Sequence, residues 1–178
     1  ILFNMDKKTI IFDLDGTLAI IDKRRIKAGS PSGKTPTPSK MDWDVFFDPD
    51  NIKLDEPNIP VIKMAQMFHQ DGFKIVIFSG RNDRSYEATI DWLIWWDIPF
   101  DLLVMRPDKF KDNSWPIADG NPATPDMRYM PDEILKKQML DTFVDKDDVL
   151  MCVDDRQKVV DMWRENGLTC FQVAPGNF

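Results

Sequence analysis

The sequence predicts an α/β fold: a central parallel sheet in a three-layer arrangement, with a small insertion after the first strand. Three observations lead there. Five short runs of continuous apolar residues read as fully buried strands. Longer amphipathic stretches lie between them, and strand–helix alternation of that kind builds a parallel sheet covered by helices. The length of 178 residues suits one domain, with 12 Phe and 6 Trp available for its core.

Taken in order, TIIFDL (9–14) is the first strand. Residues 19–57 then break the alternation. Their first part, KRRIKAGSPSGKTPTPSK (23–40), is basic and rich in Pro, Ser and Gly; aromatic residues Trp43, Phe46 and Phe47 follow. The expectation is a small cap over the active site, its first half mobile. A helix at about 58–70 leads to the strand FKIVIFS (73–79), and a helix at about 84–96 to DLLVMR (101–106). A long loop at 106–130, with prolines at 107, 116, 122 and 125, reads as a lid, a binding loop or a disordered segment. A helix at 131–142, the strand DVLMCVDD (148–155), a helix at 156–166 and the strand LTCFQVA (168–174) complete the pattern. Residues 5–178 are read as the domain, with 1–4 as a remnant ahead of Met5 and no signal peptide. On the helix at 84–96, Trp92, Trp95 and Trp96 share a face, either packed in the core or forming a homo-oligomer or partner surface.

Bulk properties exclude several function classes. The net charge of −7 argues against broad coating of nucleic acid, though not against gripping one end or one phosphate. A single histidine, His69, leaves no Ser-His-Asp set and no multi-histidine zinc site. Cys152 and Cys170 have no metal-ligand spacing and read as buried free thiols of a cytoplasmic protein. No apolar run approaches the roughly 20 residues of a membrane span.

The chemistry gathers at strand ends, where ligands of such folds bind. Asp13 and Asp15 close the first strand. A carboxylate can attack phosphorus, and a neighbour two residues on, on the same side of an extended strand, can serve as general acid and then base. Two unit charges 4 Å apart repel by about 4 kcal/mol at an effective dielectric of 20, so such a pair requires cations. Asp154 and Asp155, with Asp13, offer the hard oxygen set that magnesium prefers. Lys136 or Lys137 supplies a basic group. Ser79, Gly80 and Arg81 end another strand with a hydroxyl, open N–H groups and a guanidinium suited to phosphate. Each piece alone has an ordinary reading as a turn, a cap or a surface pair; the four in this order do not.

D-x-D-G-T-L, then S-G-R, a Lys, and D-D together resemble the four-motif pattern of the haloacid dehalogenase superfamily, most of whose members are magnesium-dependent phosphohydrolases with a Rossmann-like fold. VDDRQKVVDMWRENGLTCFQVAPGNF, IVIFSGRND and PDEILKKQML are similar to the 3′-phosphatase domains of the bacteriophage polynucleotide kinase/phosphatase type. No P-loop run accompanies them. The resemblance implies Asp13 as nucleophile and Mg²⁺ ligand, and Asp15 as general acid/base with its backbone carbonyl on the metal. It implies Ser79 and Arg81 on phosphate, Lys136 (or Lys137) on the transferred phosphoryl group with Asp132 orienting it, and Asp154 and Asp155 on the metal. Arg24 falls at a substrate-contacting position. The expected substrate is a phosphorylated nucleic-acid 3′-end, with a free nucleotide or other small phosphomonoester as the alternative. A separate kinase or ligase partner is a further expectation. A non-catalytic partner-binding module on the same fold is the reading from another class.

Overall fold

The apolar runs form a five-stranded, all-parallel sheet in the order β5–β4–β1–β6–β7. The computed structural model describes residues 7–30, 41–107 and 127–176. The strands are β1 (Thr9–Phe12), β4 (Lys74–Asn82), β5 (Leu102–Arg106), β6 (Val149–Asp154) and β7 (Cys170–Gln172). Their residues alternate strictly between two cores. Ile10, Phe12, Ile75, Ile77, Leu103 and Val153 face one side, where α3 (Ile59–Gln70) and α4 (Tyr86–Trp95) pack. Ile11, Val76, Phe78, Val104 and Cys152 face the other, under α5 (Asp132–Phe143) and α6 (Gln157–Glu165). Burial on both faces explains why these strands carry continuous apolar runs, and each fully buried large side chain contributes roughly 1.5–3 kcal/mol. This is the expected three-layer α/β fold.

The insertion is real and its ends are tied together. β2 (Ala19–Ile20) and β3 (Glu56–Pro57) pair antiparallel at its base. Between them lie α1 (Asp22–Lys27), α2 (Trp43–Phe46) and a 3₁₀ turn over Pro49–Leu54. Phe46, Ile52, Ala28 and Met41 join the cluster of Ile10 and Phe12, so the insertion extends the domain core instead of building its own. The expected mobility of its first half falls largely on 31–40, and most of loop 106–130 on 108–126; both lie outside the described residues.

Two expectations need correction. The three-tryptophan face is not one core surface: Trp92 is buried, its indole N–H donating to the Asp55 carbonyl, whereas Trp95 is 81% exposed beside exposed Ile94. Of the two readings, core packing holds for Trp92, while Ile94 and Trp95 leave the C-terminal end of α4 exposed. The first strand also ends earlier than TIIFDL suggests. Asp13 follows β1, and Leu14–Ala19 curls into a turn closed by Ala19 N–H to the Leu14 carbonyl at 2.9 Å. Cys152 and Cys170 are buried free thiols on neighbouring strands, with burial pushing Cys170 up to about 12. No helix of the described residues is long and apolar enough to cross a membrane.

Candidate active site

Three strands deliver their carboxyl ends to one edge of the sheet, and a cavity of about 620 Å³ opens there beneath the insertion. Asp13 sits at its floor, its N–H bonded to the Val153 carbonyl at 2.9 Å. Its two oxygens are already engaged: Oδ1 accepts from Lys136 Nζ at 2.6 Å and Oδ2 from Thr17 Oγ1 at 2.9 Å. Lys136 also donates to Asp154 Oδ2 at 2.8 Å. Asp154 is held in turn by the backbone N–H groups of Asp155 and Arg156 on its Oδ1.

Asp13, Asp154 and Asp155 are buried, and one carboxylate oxygen from each lies within 4.8 Å of the others. One lysine against three carboxylates leaves a deficit of two positive charges. Burial pushes the Asp13 carboxyl well above its usual range; Lys136 opposes this, while Asp154 and Asp155 add to it. Burial and Asp154 push Asp155 up to about 6. Lys136 moves the other way: burial disfavours its charge, yet Asp13 and Asp154 outweigh that and hold it firmly protonated. Hard oxygen donors, clustered and short of two charges, fit a divalent cation of the magnesium type. Gly16 makes the cluster possible. It has φ +89°, and a Cβ there would lie 2.2 Å from Asp155 Oδ2.

Asp15 lies in a different environment. Burial raises its pKa, but Arg24 and Arg81 more than offset this and hold the carboxyl well below the usual range. Arg24 Nη2 reaches Asp15 Oδ1 at 2.7 Å, and Arg81 donates to the same oxygen through Nε and Nη2. Both arginines converge again on Asp55: Arg24 Nε on Oδ1 at 2.8 Å, Arg81 Nη2 on Oδ2 at 2.8 Å. Arg24 also donates to the Phe46 carbonyl at 3.0 Å, and Arg81 to Thr89 Oγ1 at 3.0 Å.

This rearranges the sequence assignments. Arg24 and Arg81 are both fully buried, and their guanidinium groups pair with Asp15 and Asp55; Arg81 also lines the cavity. Ser79 is buried, its Oγ accepting from the Arg81 N–H at 3.1 Å, so it braces the loop that carries Gly80. Gly80 lines the cavity. Of the two lysines, Lys136 meets Asp13, whereas Lys137 is exposed and pairs with Asp141. Asp132 does not hydrogen-bond Lys136 one turn on. It takes Arg106 on one oxygen and Arg156 on the other, beneath Gly80. Asp55, Arg106, Arg156 and Thr17 went unassigned. Asp55 had no signal, lying in a loop with an ordinary charge pattern. Arg106 had one: a cation ending an apolar strand run. His69 lies on the exposed last turn of α3.

Comparison with known proteins agrees with this architecture. The family model of the polynucleotide kinase PNKP phosphatase domain matches residues 37–178. A chain from a Pnkp1/Rnl/Hen1 complex is similar at 30% identity and TM-score 0.67 over 99% of this chain and 49% of its own length. A second structure, of the Pnkp1/Rnl/Hen1 RNA repair complex, gives 30% identity and TM-score 0.67 over 98% and 45%. The chain thus spans about half the length of these relatives. A haloacid dehalogenase-like hydrolase from Streptococcus pneumoniae shares the fold, at 14% identity and TM-score 0.56 over 93% of this chain and 83% of its own.

Proposed function

The chain belongs to the polynucleotide kinase PNKP phosphatase domain family and is a phosphatase of the haloacid dehalogenase superfamily; on that premise we propose that it is a magnesium-dependent phosphomonoesterase that removes 3′-phosphates from nucleic-acid ends through an aspartyl-phosphate on Asp13. The observation that carries the reading is the meeting of Asp13, Lys136, Asp154 and Asp155 at the cavity floor, with Asp15 clamped beside them.

An Asp13 oxygen attacks phosphorus in line with the departing 3′-hydroxyl. Lys136, which bonds the same carboxylate, shifts its charge toward the phosphoryl oxygens. Mg²⁺ held by Asp13, Asp154, Asp155 and the Asp15 backbone carbonyl would add Lewis-acid stabilisation of those oxygens. All three arginine contacts on Asp15 fall on Oδ1, so Oδ2 carries the proton traffic. In the free enzyme the clamp favours ionised Asp15, the form that later takes a proton from water. An incoming phosphate dianion repels that charge and raises the pKa, so Asp15 can take up the proton that it gives to the leaving oxygen. Ser79 and Gly80 brace the phosphate loop, and Asp132 holds Arg106 and Arg156 at the cavity wall.

We read residues 5–178 as one phosphatase domain with 19–57 as its cap. The relatives' place in an RNA repair complex supports RNA ends as substrate and a separate kinase or ligase as partner. The unpaired thiols of Cys152 and Cys170 support a reducing, cytoplasmic setting. The net charge of −7 favours the second reading, a phosphatase of free nucleotides. Phosphate release from a 3′-phosphorylated oligonucleotide, a nucleoside 3′-monophosphate and a 5′-monophosphate separates the two. Preference for the oligonucleotide is expected; equal or faster turnover of the monomers makes the enzyme a nucleotidase.

A further inference from the structure

We propose that the outward face of Trp43 is the stacking platform for the base of the nucleoside that bears the scissile phosphate. The inference rests on the phosphatase reading of the same cavity and names the group that the enzyme grips besides phosphate.

Trp43 opens α2, whose N-terminus is capped by Asp42 accepting from the N–H groups of Asp44 and Val45. Its indole lies against Phe47, centroids 5.8 Å apart and planes 23° from parallel, with Phe46 meeting it edge-on at 5.7 Å. Phe46 is buried, yet the stack does not end in protein: Trp43 is 46% exposed and lines the cavity whose floor holds Asp13 and Lys136. A stack of rings that ends on a half-exposed indole has one face left for another planar group. The cavity, at about 620 Å³, is far larger than a phosphate requires and lies in the range of sites for whole small molecules.

The segment that carries the ring is also tied to the groups around Asp15. Arg24, which holds Asp15, donates to the Phe46 carbonyl and lies 4.2 Å over the Phe46 ring. From the other side, Arg84 donates to the Trp43 carbonyl at 3.3 Å and to Asp44 Oδ1 at 3.1 Å. Platform and general acid therefore belong to one connected set of contacts. A base has a π-face whatever its identity, so this grip is tolerant of sequence but not of the base's absence.

The test compares a nucleoside 3′-monophosphate with glycerol phosphate, which has no base, in wild type, Trp43→Ala and Trp43→Phe. Trp43→Ala is expected to lower the ratio of kcat/KM for nucleotide over glycerol phosphate by about tenfold, mainly through KM, and Trp43→Phe to restore most of it. Binding is read separately in the Asp13→Asn background: nucleotide should quench tryptophan fluorescence, and Trp43→Phe should abolish that quench while affinity stays within about threefold. An unchanged ratio in a folded Trp43→Ala protein, or a quench that survives Trp43→Phe, overturns the assignment of Trp43 and leaves the phosphatase reading intact. If wild type releases phosphate from neither of these nor from a 3′-phosphorylated oligonucleotide, the phosphatase reading fails first.

Discussion

Lys136 and Lys137 are chemically identical neighbours, and α5 sends them to opposite fates. One is buried between Asp13 and Asp154; the other makes an exposed i,i+4 pair with Asp141. Lys136→Met should lower phosphate release by about a hundredfold or more. Lys137→Met should leave activity alone and change stability by less than about 0.5 kcal/mol, measured by urea unfolding. Asp55 is the stronger test of the clamp. It is buried and ion-paired to both Arg24 and Arg81, so Asp55→Asn should destabilise the fold by about 3–5 kcal/mol. At this scale the sequence was legible where a residue's neighbours in the chain carry the pattern, as for Asp13, Asp15, Asp154 and Asp155. It was silent where a partner lies far away: Arg24 and Asp55 are 31 residues apart, and no local spacing announces that this guanidinium meets that carboxylate.

The elements work through their ends. β4 slips register against β5 between Ser79 and Asn82, and this bulge lets Arg81 turn toward Asp15 while Gly80 lines the cavity. The turn after β1 puts Gly16 under the Asp155 carboxylate. Gly16→Ala therefore combines a left-handed backbone with a clash at the carboxylate cluster; a loss of more than about 1 kcal/mol in stability is expected, with weaker magnesium binding by calorimetry. Strand and helix types were readable because burial on both faces leaves continuous apolar runs and amphipathic helices leave stripes. The bulge and the early end of β1 were not, because both depend on which backbone groups find partners across the sheet.

For the whole molecule, a divalent cation at the carboxylate cluster would contribute to folding as well as to chemistry. Asp13 and Asp155 bind protons more tightly in the fold than when unfolded, Asp155 with a pKa of about 6. At this cluster the native state then binds more protons than the unfolded one, so the cluster's own contribution to the stability of metal-free protein should fall as pH rises from about 4 through 6, and Asp155→Asn should flatten that part of the pH profile. Magnesium, competing with those protons, should raise Tm by a growing amount over the same interval; a magnesium shift that is flat with pH would count against the carboxylate cluster as its site. The cap was legible as an interruption of the alternation, but its merger with the domain core was not, since Phe46 and Ile52 carry no periodicity that names their partners. The central claim is that Asp13 performs the attack. It is tested most directly by comparing magnesium-dependent phosphate release from a 3′-phosphorylated oligonucleotide by wild type and by Asp13→Asn of equal Tm. Release by the variant at or below about a thousandth of the wild-type rate is expected, a barrier increase of about 4 kcal/mol; retention of a substantial fraction would contradict attack by Asp13.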